Sequence, residues 1–563
     1  MNRLIEATFK NRGYTQAYLC DIEDARRDIL LDSDRLCGVL KEIHDTGKKL
    51  VVLPDFDMDG IMSGVTGFAG FAELGFNVGL FIPDPKDGYG FTPHTIGRLL
   101  ADHPDVDTII TCDVGISCHD GVKAAQMAGL RVLVTDHHTQ TGPSFADCVV
   151  NPMRLDETYS HPAICGAHVL YQCLEHYAMM YCDRFTQEQI IRLRVFAGIG
   201  TVSDSMPLLY ENRELVRNAV SILRMLYDSG SDFIVNSVSG CDIYRRAFRG
   251  LYNILTEFSE LKKLTGPKDI SEEFIGFYLA PTFNSIKRMD GDMRRAFDVF
   301  FGADPISSVK YLVNLNDQRK IAVSDFHERL FEIDQPYAPY VYLSDARPGI
   351  LGLLAQKLTS ESGMPVMVVA NVSGTSKMHG SGRAPDWYPF LDRTCPAGFW
   401  AAGHNPAFGV HFADTLEIKS MIAFLERDVA FIRSGMDASC FAFTPDFTIA
   451  LDDSGDTSID ILLFMEYLHD LEQYRPFGSR FPRPEALLKF SADQGEWSVM
   501  GREKQHLKIR LPYGFDVLLW NQAEKFDLKD TTKELQIIGR LGNTTFNNQH
   551  SINFVGDKMI NLV

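Results

Sequence analysis

Val132-Leu133-Val134-Thr135-Asp136-His137-His138 is the stretch from which the rest of the chain can be read. Its apolar run is long enough only for a buried strand, and it stops on one carboxylate and two imidazoles. In open α/β sheets, ligands lie just beyond the carboxyl ends of the strands, so polar residues there are candidates for chemistry. Alone, such a triplet reads as a turn holding a satisfied histidine. Other runs in the first half of the chain end in the same way. Lys49-Leu50-Val51-Val52-Leu53-Pro54 leads into Asp55-Phe56-Asp57-Met58-Asp59-Gly60, and Thr108-Ile109-Ile110-Thr111-Cys112 leads into Asp113. Val78–Pro83 opens onto the Gly-rich loop Lys86-Asp87-Gly88-Tyr89-Gly90, and Cys148-Val149-Val150 ends on Asn151-Pro152. Helical patterns over 14–48 and 121–129 alternate with these strands. That alternation predicts a parallel, doubly wound sheet with Asp55, Asp57, Asp59, Asp113, Asp136 and His137 along one edge.

Carboxylates at alternate strand positions share a face and repel one another, and a cation is the simplest remedy. An EF-hand is excluded, because no glutamate stands at the twelfth position of such a loop. A donor set rich in carboxylate with one or two imidazoles suits Mn²⁺ or Mg²⁺ better than zinc. So many acids overcrowd one divalent ion but can bridge two. A pair of ions clamps the attacking and leaving oxygens of a phosphoryl displacement.

Composition bounds the rest. The 563 residues are enough for several domains, each with its own core. The 45% hydrophobic and 23% charged fractions are those of an ordinary soluble protein. No apolar run approaches a bilayer span; Gly60–Ala72 comes nearest and is short and Gly-rich. The N-terminal residues carry no signal-peptide core. The 11 cysteines include no C-x-x-C pair, which argues against a disulfide framework or thiolate zinc site and for a reducing cytoplasm. The net charge of −19 is unlike a nucleic-acid binder but excludes nothing, since bound cations neutralise a carboxylate cluster and basic residues can gather on one face.

The acidic stretch at 55–60, Thr111-Cys112-Asp113-Val114-Gly115-Ile116-Ser117 and Val134-Thr135-Asp136-His137-His138 resemble, in order, the motifs of the DHH phosphoesterase superfamily. More narrowly, the chain resembles the RecJ family of single-strand-specific 5′→3′ DNA exonucleases. Ile199–Leu208 with Glu211-Asn212-Arg213 is similar to the segment supplying the family's last metal-binding Asp, here Asp204. Ala280–Arg288 resembles its P-x-x-N-A-A-G-R stretch. Gly380-Ser381-Gly382-Arg383 and Gly403-His404-Asn405-Pro406-Ala407-Phe408-Gly409 resemble its DHH-associated domain. From about Asp446 short alternating strands follow, with Arg475-Pro476-Phe477-Gly478 and Gln505–Ile509 similar to its OB-fold domain. The chain departs from the pattern at Pro54, where Gly is usual, and at Lys86, where an Arg is usual in a loop one residue longer. It departs again at 284–288, which lacks the small-residue run, and at Ala402, where a Gly precedes the motif.

The resemblance implies an α/β protein with a parallel-sheet DHH domain over 1–215 and a helical region with a connector helix over 216–335. A second α/β lobe over 336–435 and a C-terminal OB-like β-barrel over 446–563 complete it. It implies two Mn²⁺ (or Mg²⁺) ions held by Asp57, Asp59, Asp113, His137 and Asp204, with Asp55 joining them and Asp113 bridging. Asp136 is expected as a ligand or as the group orienting His137, and His138 as the group that stabilises charge on phosphorus or protonates the leaving 3′-oxygen. Arg288, Ser381, Arg383, His404 and Lys86 are expected to hold phosphate. The implied activity is hydrolysis of single-stranded DNA to mononucleotides in DNA repair, recombination or replication, by a cytoplasmic monomer with no membrane contact. A single-strand-binding protein or helicase is the expected protein partner. Alternatives are a DHH enzyme acting on short oligoribonucleotides or cyclic dinucleotides, and a non-catalytic single-strand-binding scaffold.

Overall fold

The apolar runs of the first half pair as one sheet: β1 (Lys49–Pro54), β2 (Val78–Leu80), β3 (Val106–Cys112), β4 (Arg131–Thr135) and β5 (Cys148–Val150). Their order is β2-β1-β3-β4-β5, all parallel. Both faces are buried, which is why these strands read as continuous apolar runs. Leu50, Val52, Ile110 and Leu133 face one core, while Val51, Leu53, Ile109, Val132 and Val134 face another. The register aligns Pro54 with Cys112, Cys112 with Thr135 and Thr135 with Val150. The next residue of each strand, Asp55, Asp113, Asp136 and Asn151, therefore falls in one row at the carboxyl edge. β2 is shorter than expected: Phe81 still donates its N–H to Val52, but Pro83 has none to give.

The computed structural model describes residues 2–14, 28–84, 88, 90–140, 142–237, 240–372, 375, 377–396, 399–435, 444–451, 461–501, 504–520, 522–523, 534–546 and 549–562. Of the helical stretch expected over 14–48, the helix Ser33–Thr46 is described and 15–27 lies outside these residues. The chain falls into two compact units, one of Arg26–Met206 with Leu215–Cys440, the other of Met1–Ala25 with Pro207–Glu214 and Phe441–Val563.

In the first unit, the glycine-rich helix Met58–Glu73 packs closely on the helices Gly166–Tyr181 and Arg194–Ser203. The helices Ala280–Arg288 and Arg294–Phe301 pack on the 26-residue helix Pro305–Leu330, capped by Asp304. A second sheet follows, formed by β6 (Val341–Leu343), β7 (Val366–Asn371), β8 (Met378–Arg383), β9 (Trp400–His404) and β10 (Ala407–Phe412) in the order β6-β7-β8-β10-β9. The helix Pro348–Ser362 lies on β7 and β8, and Thr415–Gly435 covers the other face.

The second unit is a β-domain of β11 (Phe447–Ala450), β12 (Ala486–Ser491), β13 (Glu496–Met500), β14 (His506–Leu511), β15 (Phe515–Leu519), β16 (Glu534–Phe546) and β17 (Gln549–Leu562). They form one sheet in the order β11-β12-β16-β17-β15-β14-β13. No pairing among the described residues joins β11 to β13, the two ends of that order, where a closed barrel was expected. Its core is filled by helices: Ile5, Phe464, Tyr467 and Leu471 pack among Ile449, Leu488, Val517 and Phe554. The helix Arg3–Arg12 belongs here rather than to the first sheet, and Arg12 holds Asp446 at 2.6 Å. Among the described residues no helix is long and apolar enough to cross a membrane.

Candidate active site

Parallel pairing delivers the acids, and the helix after β1 delivers two more. Asp57 caps that helix, its Oδ1 accepting from the Gly60 N–H at 3.1 Å, and Asp59 lies in its first turn. Asp59 is buried against the start of the helix Gly166–Tyr181, where the N–H groups of Gly166 and Ala167 donate to it at 2.6 and 3.2 Å. Those amides are the open, positive end of a helix, suited to a carboxylate. The approach needs glycine: a Cβ on Gly166 would lie 2.4 Å from the Asp113 Cβ, and one on Gly200 would lie 2.3 Å from Asp59 Oδ1. Asp113 itself takes φ 65°, a left-handed conformation that Asp tolerates better than most residues.

His137 stands at the centre. Its Nε2 lies 3.1 Å from Asp113 Oδ1, 3.6 Å from Asp204 Oδ2 and 3.9 Å from Asp59 Oδ2. Three donor sets result, Asp113 with His137 and His138, Asp59 with His137 and Asp204, and Asp55 with Asp57 and Asp113, each with ligand atoms within 4.8 Å of one another. The Asp113–His137 approach joins them, and Asp113 is common to two of the sets.

The electrostatics are those of a cage awaiting cations. Burial and the neighbouring Asp59, Asp57, Asp55 and Asp204 push the Asp113 carboxyl well up. Burial and Asp57 raise Asp55 to about 7, and burial with Asp59 and Asp57 raises Asp204 to about 8. Burial raises Asp59 as well. The buried oxygens Asp55 Oδ1 and Asp113 Oδ1 have no hydrogen-bond partner. Buried carboxylates are paired, protonated or metal-bound, and the donors present fit hard divalent cations.

Asp136 sits differently. One oxygen accepts from the Ile116 N–H at 2.9 Å; the other accepts from the His137 and His138 N–H groups and meets His138 Nδ1 at 2.8 Å. Both oxygens are engaged by the chain's own groups, and the ring that Asp136 meets directly is that of His138. Burial opposes the charge on His138, but the Asp136 hydrogen bond, with Asp136, Asp55 and Asp204 nearby, outweighs it and lifts the imidazole to about 9. For His137 burial prevails and the imidazole is shifted down, toward the neutral form that ligates metals. Asn151, in the same row, ties the loop down by donating to the His138 carbonyl at 3.0 Å.

A cluster of opposite sign lies alongside. Burial, then Arg319 and Arg383, lower Arg288 to about 10, and the acid acting on it is Asp57. Burial also lowers Arg383, whose Nη1 donates to the Gly382 carbonyl at 2.8 Å. Ser381 shares the face of Arg383 on β8. Asn284, on the helix that carries Arg288, accepts the Met58 N–H at 2.8 Å and so links the two clusters. Lys287 lies 4.3 Å from the centre of the Phe56 ring and acts on Asp55.

The expected residues Asp55, Asp57, Asp59, Asp113, His137, His138, Asp136 and Asp204 are thus gathered at one edge, with Arg288 and Arg383 nearby. Lys86 lies outside the described residues, and His404 is placed only as the last residue of β9. Arg319, Asn151 and Asn284 carry no assignment in the sequence reading. Arg319 lies on a helix recognisable only as a connector, whereas Asn151 stood at a strand end in line with Asp55, Asp113 and Asp136 and could have been found there.

Comparison with known proteins agrees with this arrangement. The DHH family, N-terminal domain, matches residues 49–199, and the RecJ OB domain matches residues 461–557. The single-stranded-DNA-specific exonuclease RecJ of Escherichia coli is 24% identical, covering 99% of this chain and 95% of its own. The protein of the same name from Bacillus subtilis is 24% identical, covering 91% of this chain, which spans only 61% of that relative's length. Among solved structures, RecJ from Thermus thermophilus in complex with Mn²⁺ superposes with a TM-score of 0.72 at 21% identity, covering 100% of this chain and 76% of that one. The chain therefore carries a DHH domain and a RecJ OB domain on the RecJ fold.

Proposed function

We propose that this chain, a DHH domain and a RecJ OB domain on one RecJ-like fold, is a metal-dependent exonuclease that hydrolyses single-stranded DNA from its 5′ end to mononucleotides. The observation that carries the reading is the meeting of two like-charge clusters. An acid cage with two buried carboxylate oxygens that accept no hydrogen bond, Asp55 Oδ1 and Asp113 Oδ1, adjoins Arg288, on which both Arg319 and Arg383 act. Cations suit the first and phosphate the second, and a phosphodiester bridges them.

Asp55, Asp57, Asp113, Asp59, His137 and Asp204 would hold two divalent ions. When bound, such a pair supplies Lewis acidity and a water activated at neutral pH. The chain's own groups do the rest. Arg288, Arg383 and Arg319 bind and orient phosphate, with Ser381 beside them. His138, engaged through Nδ1 with Asp136, presents Nε2–H as donor to charge developing on the phosphoryl oxygens or to the leaving 3′-oxygen. A terminal phosphate pinned by the arginines fixes one end of the strand and sets the first internucleotide bond over the acid cage. In the C-terminal unit, half-exposed Trp520 packs on His506 with ring centroids 4.8 Å apart, a surface suited to stacking bases. The RecJ OB match supports a polymer over a dinucleotide, and the intact donor set supports catalysis over a scaffold.

The test is product analysis on single strands labelled at either terminus, with duplex and dinucleotide controls, in Mn²⁺. Mononucleotides released from the 5′ label are expected. Digestion from the 3′ end, or cuts in a circular single strand, would overturn the polarity, and preference for dinucleotides would overturn the substrate class.

A further inference from the structure

Directly paired residues of an antiparallel ladder share a face, so the pairing of β8, β10 and β9 lays out a surface row by row. Arg383 pairs with Ala407, Ser381 with Gly409 and Ala402 in turn, and His379 with His411 and Trp400. Gly380 and Gly382 belong to the opposite face; a Cβ on Gly382 would lie 2.1 Å from the Phe408 ring. His379, Ser381 and Arg383 therefore share the face on which the helix Pro348–Ser362 rests. A Cβ on Gly352 of that helix would lie 2.9 Å from Arg383 Nη2 and 3.4 Å from Ser381 Oγ. The helix packs on β7 and β8, and the strip over β10 and β9 is open: Ala402 and His411 are exposed, and Trp400 is 50% exposed.

On that open strip three rings stand in a line across three strands. Trp400 meets His411 with ring centroids 4.7 Å apart at 68°, and His411 meets His379 at 6.4 Å and 40°. The row lies four residues along β8 from Arg383, on the order of 13 Å at the strand's rise. Between them Ser381, Gly409 and Ala402 make a low floor. These rows carry no carboxylate that would repel a phosphate backbone. A row of contacting rings on the same sheet face as a guanidinium suits a single nucleic-acid strand, whose backbone follows positive charge while its bases stack on rings.

We propose that Trp400, His411 and His379 form a stacking platform for an unpaired nucleobase of the bound strand, at least one nucleotide removed from the phosphate that Arg383 holds. The proposal rests on the reading of the chain as a single-strand nuclease. It assigns the platform to substrate grip beyond the reacting nucleotide.

The experiment uses the full chain carrying Asp113→Asn, in Mn²⁺, so that binding is measured without cleavage. A 5′-phosphorylated DNA strand has one abasic nucleotide walked along it, and each version is titrated against the chain with and without Trp400→Ala. One abasic position is expected to weaken binding about tenfold, the equivalent of about 1.4 kcal/mol. Trp400→Ala should weaken the intact strand equally, the two changes together should cost no more than either, and Trp400→Phe should keep most of the affinity. Additive losses at every position, or no loss with either Trp400→Ala or His411→Ala, would overturn the platform. Hydrolysis by the chain with Asp113 intact is scored separately. A strand left uncut with the coupling present would sink the nuclease reading and leave the platform, whereas a strand cut without the coupling would sink only the platform. No binding of the strand at all would sink both.

Discussion

The acid cage and the arginine cluster are built on opposite principles. The acids come from one sheet edge and the first turn of one helix, with Asp204 joining from a helix end, and short-range geometry places most of them. The arginines come from three separate elements: Arg288 from a short helix, Arg319 from the long helix Pro305–Leu330 and Arg383 from a strand of the second sheet. Each cluster repels itself, and burial makes that repulsion felt. The difference teaches that a site can store both halves of a counter-ion arrangement side by side. On the proposed reading, the acids are arranged for cations that stay, and the arginines for a phosphate that passes through.

Breaking the cage should have the largest effect. Asp113→Asn, or chelation of the wild type, is expected to lower turnover at least about a thousandfold, the loss that a barrier rise of about 4 kcal/mol gives. Single-turnover assays check this, and near-normal activity in either case would refute the metal reading. The same substitution should raise the melting temperature of the metal-free chain, because it removes a buried carboxylate that four neighbouring acids repel.

The sign of the pH dependence follows from the same repulsion. Asp55 and Asp204 are raised to about 7 and about 8, above the range of carboxylates in an unfolded chain. Between about pH 4 and those values the folded chain binds more protons than the unfolded one, so stability falls as pH rises through that window. Melting in chelator from pH 5 to pH 8.5 should show this decline, and Mn²⁺ should flatten or reverse it. A metal-free chain most stable at pH 8 would contradict the cage.

The arginine half should fail more mildly. Arg383→Ala and Arg319→Ala are each expected to cost about 1.5–3 kcal/mol in kcat/KM and to blunt any preference for a 5′-phosphate. Metal affinity, read by calorimetry, should be unchanged. If Arg319→Ala leaves the 5′-phosphate preference intact, Arg319 is not part of the clamp. The smallest effect belongs to the link between the clusters. Asn284→Ala strands the Met58 N–H and should cost about 1 kcal/mol of stability by denaturant unfolding, with a modest loss of rate. A rate loss as large as that of Asp113→Asn would mean that Asn284 does more than hold the helix start.

Much of this site was legible before folding. Four strands stopping on Asp55, Asp113, Asp136 and Asn151 predicted a parallel sheet, and a parallel sheet in register puts its strand ends in one row. That inference needs only local hydrophobic runs and the rule that connections return to the same edge. The role of Asp136 was not legible. Whether it holds His137 or His138 depends on where its oxygens find N–H groups after the turn is made, and the Ile116 N–H that takes one of them comes from the loop after another strand.

The amino-acid sequence by itself determined the parallel first sheet, the identity of the acids and imidazoles, and the presence of a β-rich C-terminal region, because each is written in periodicity or in a short motif. Only the tertiary structure decided that Arg319 joins Arg288 and Arg383, that the first helix packs with the C-terminal strands, and that Trp400, His411 and His379 stand in line. Those pairings join residues far apart along the chain. Their energy comes from burial and from charge at close range, and neither leaves a period in the sequence.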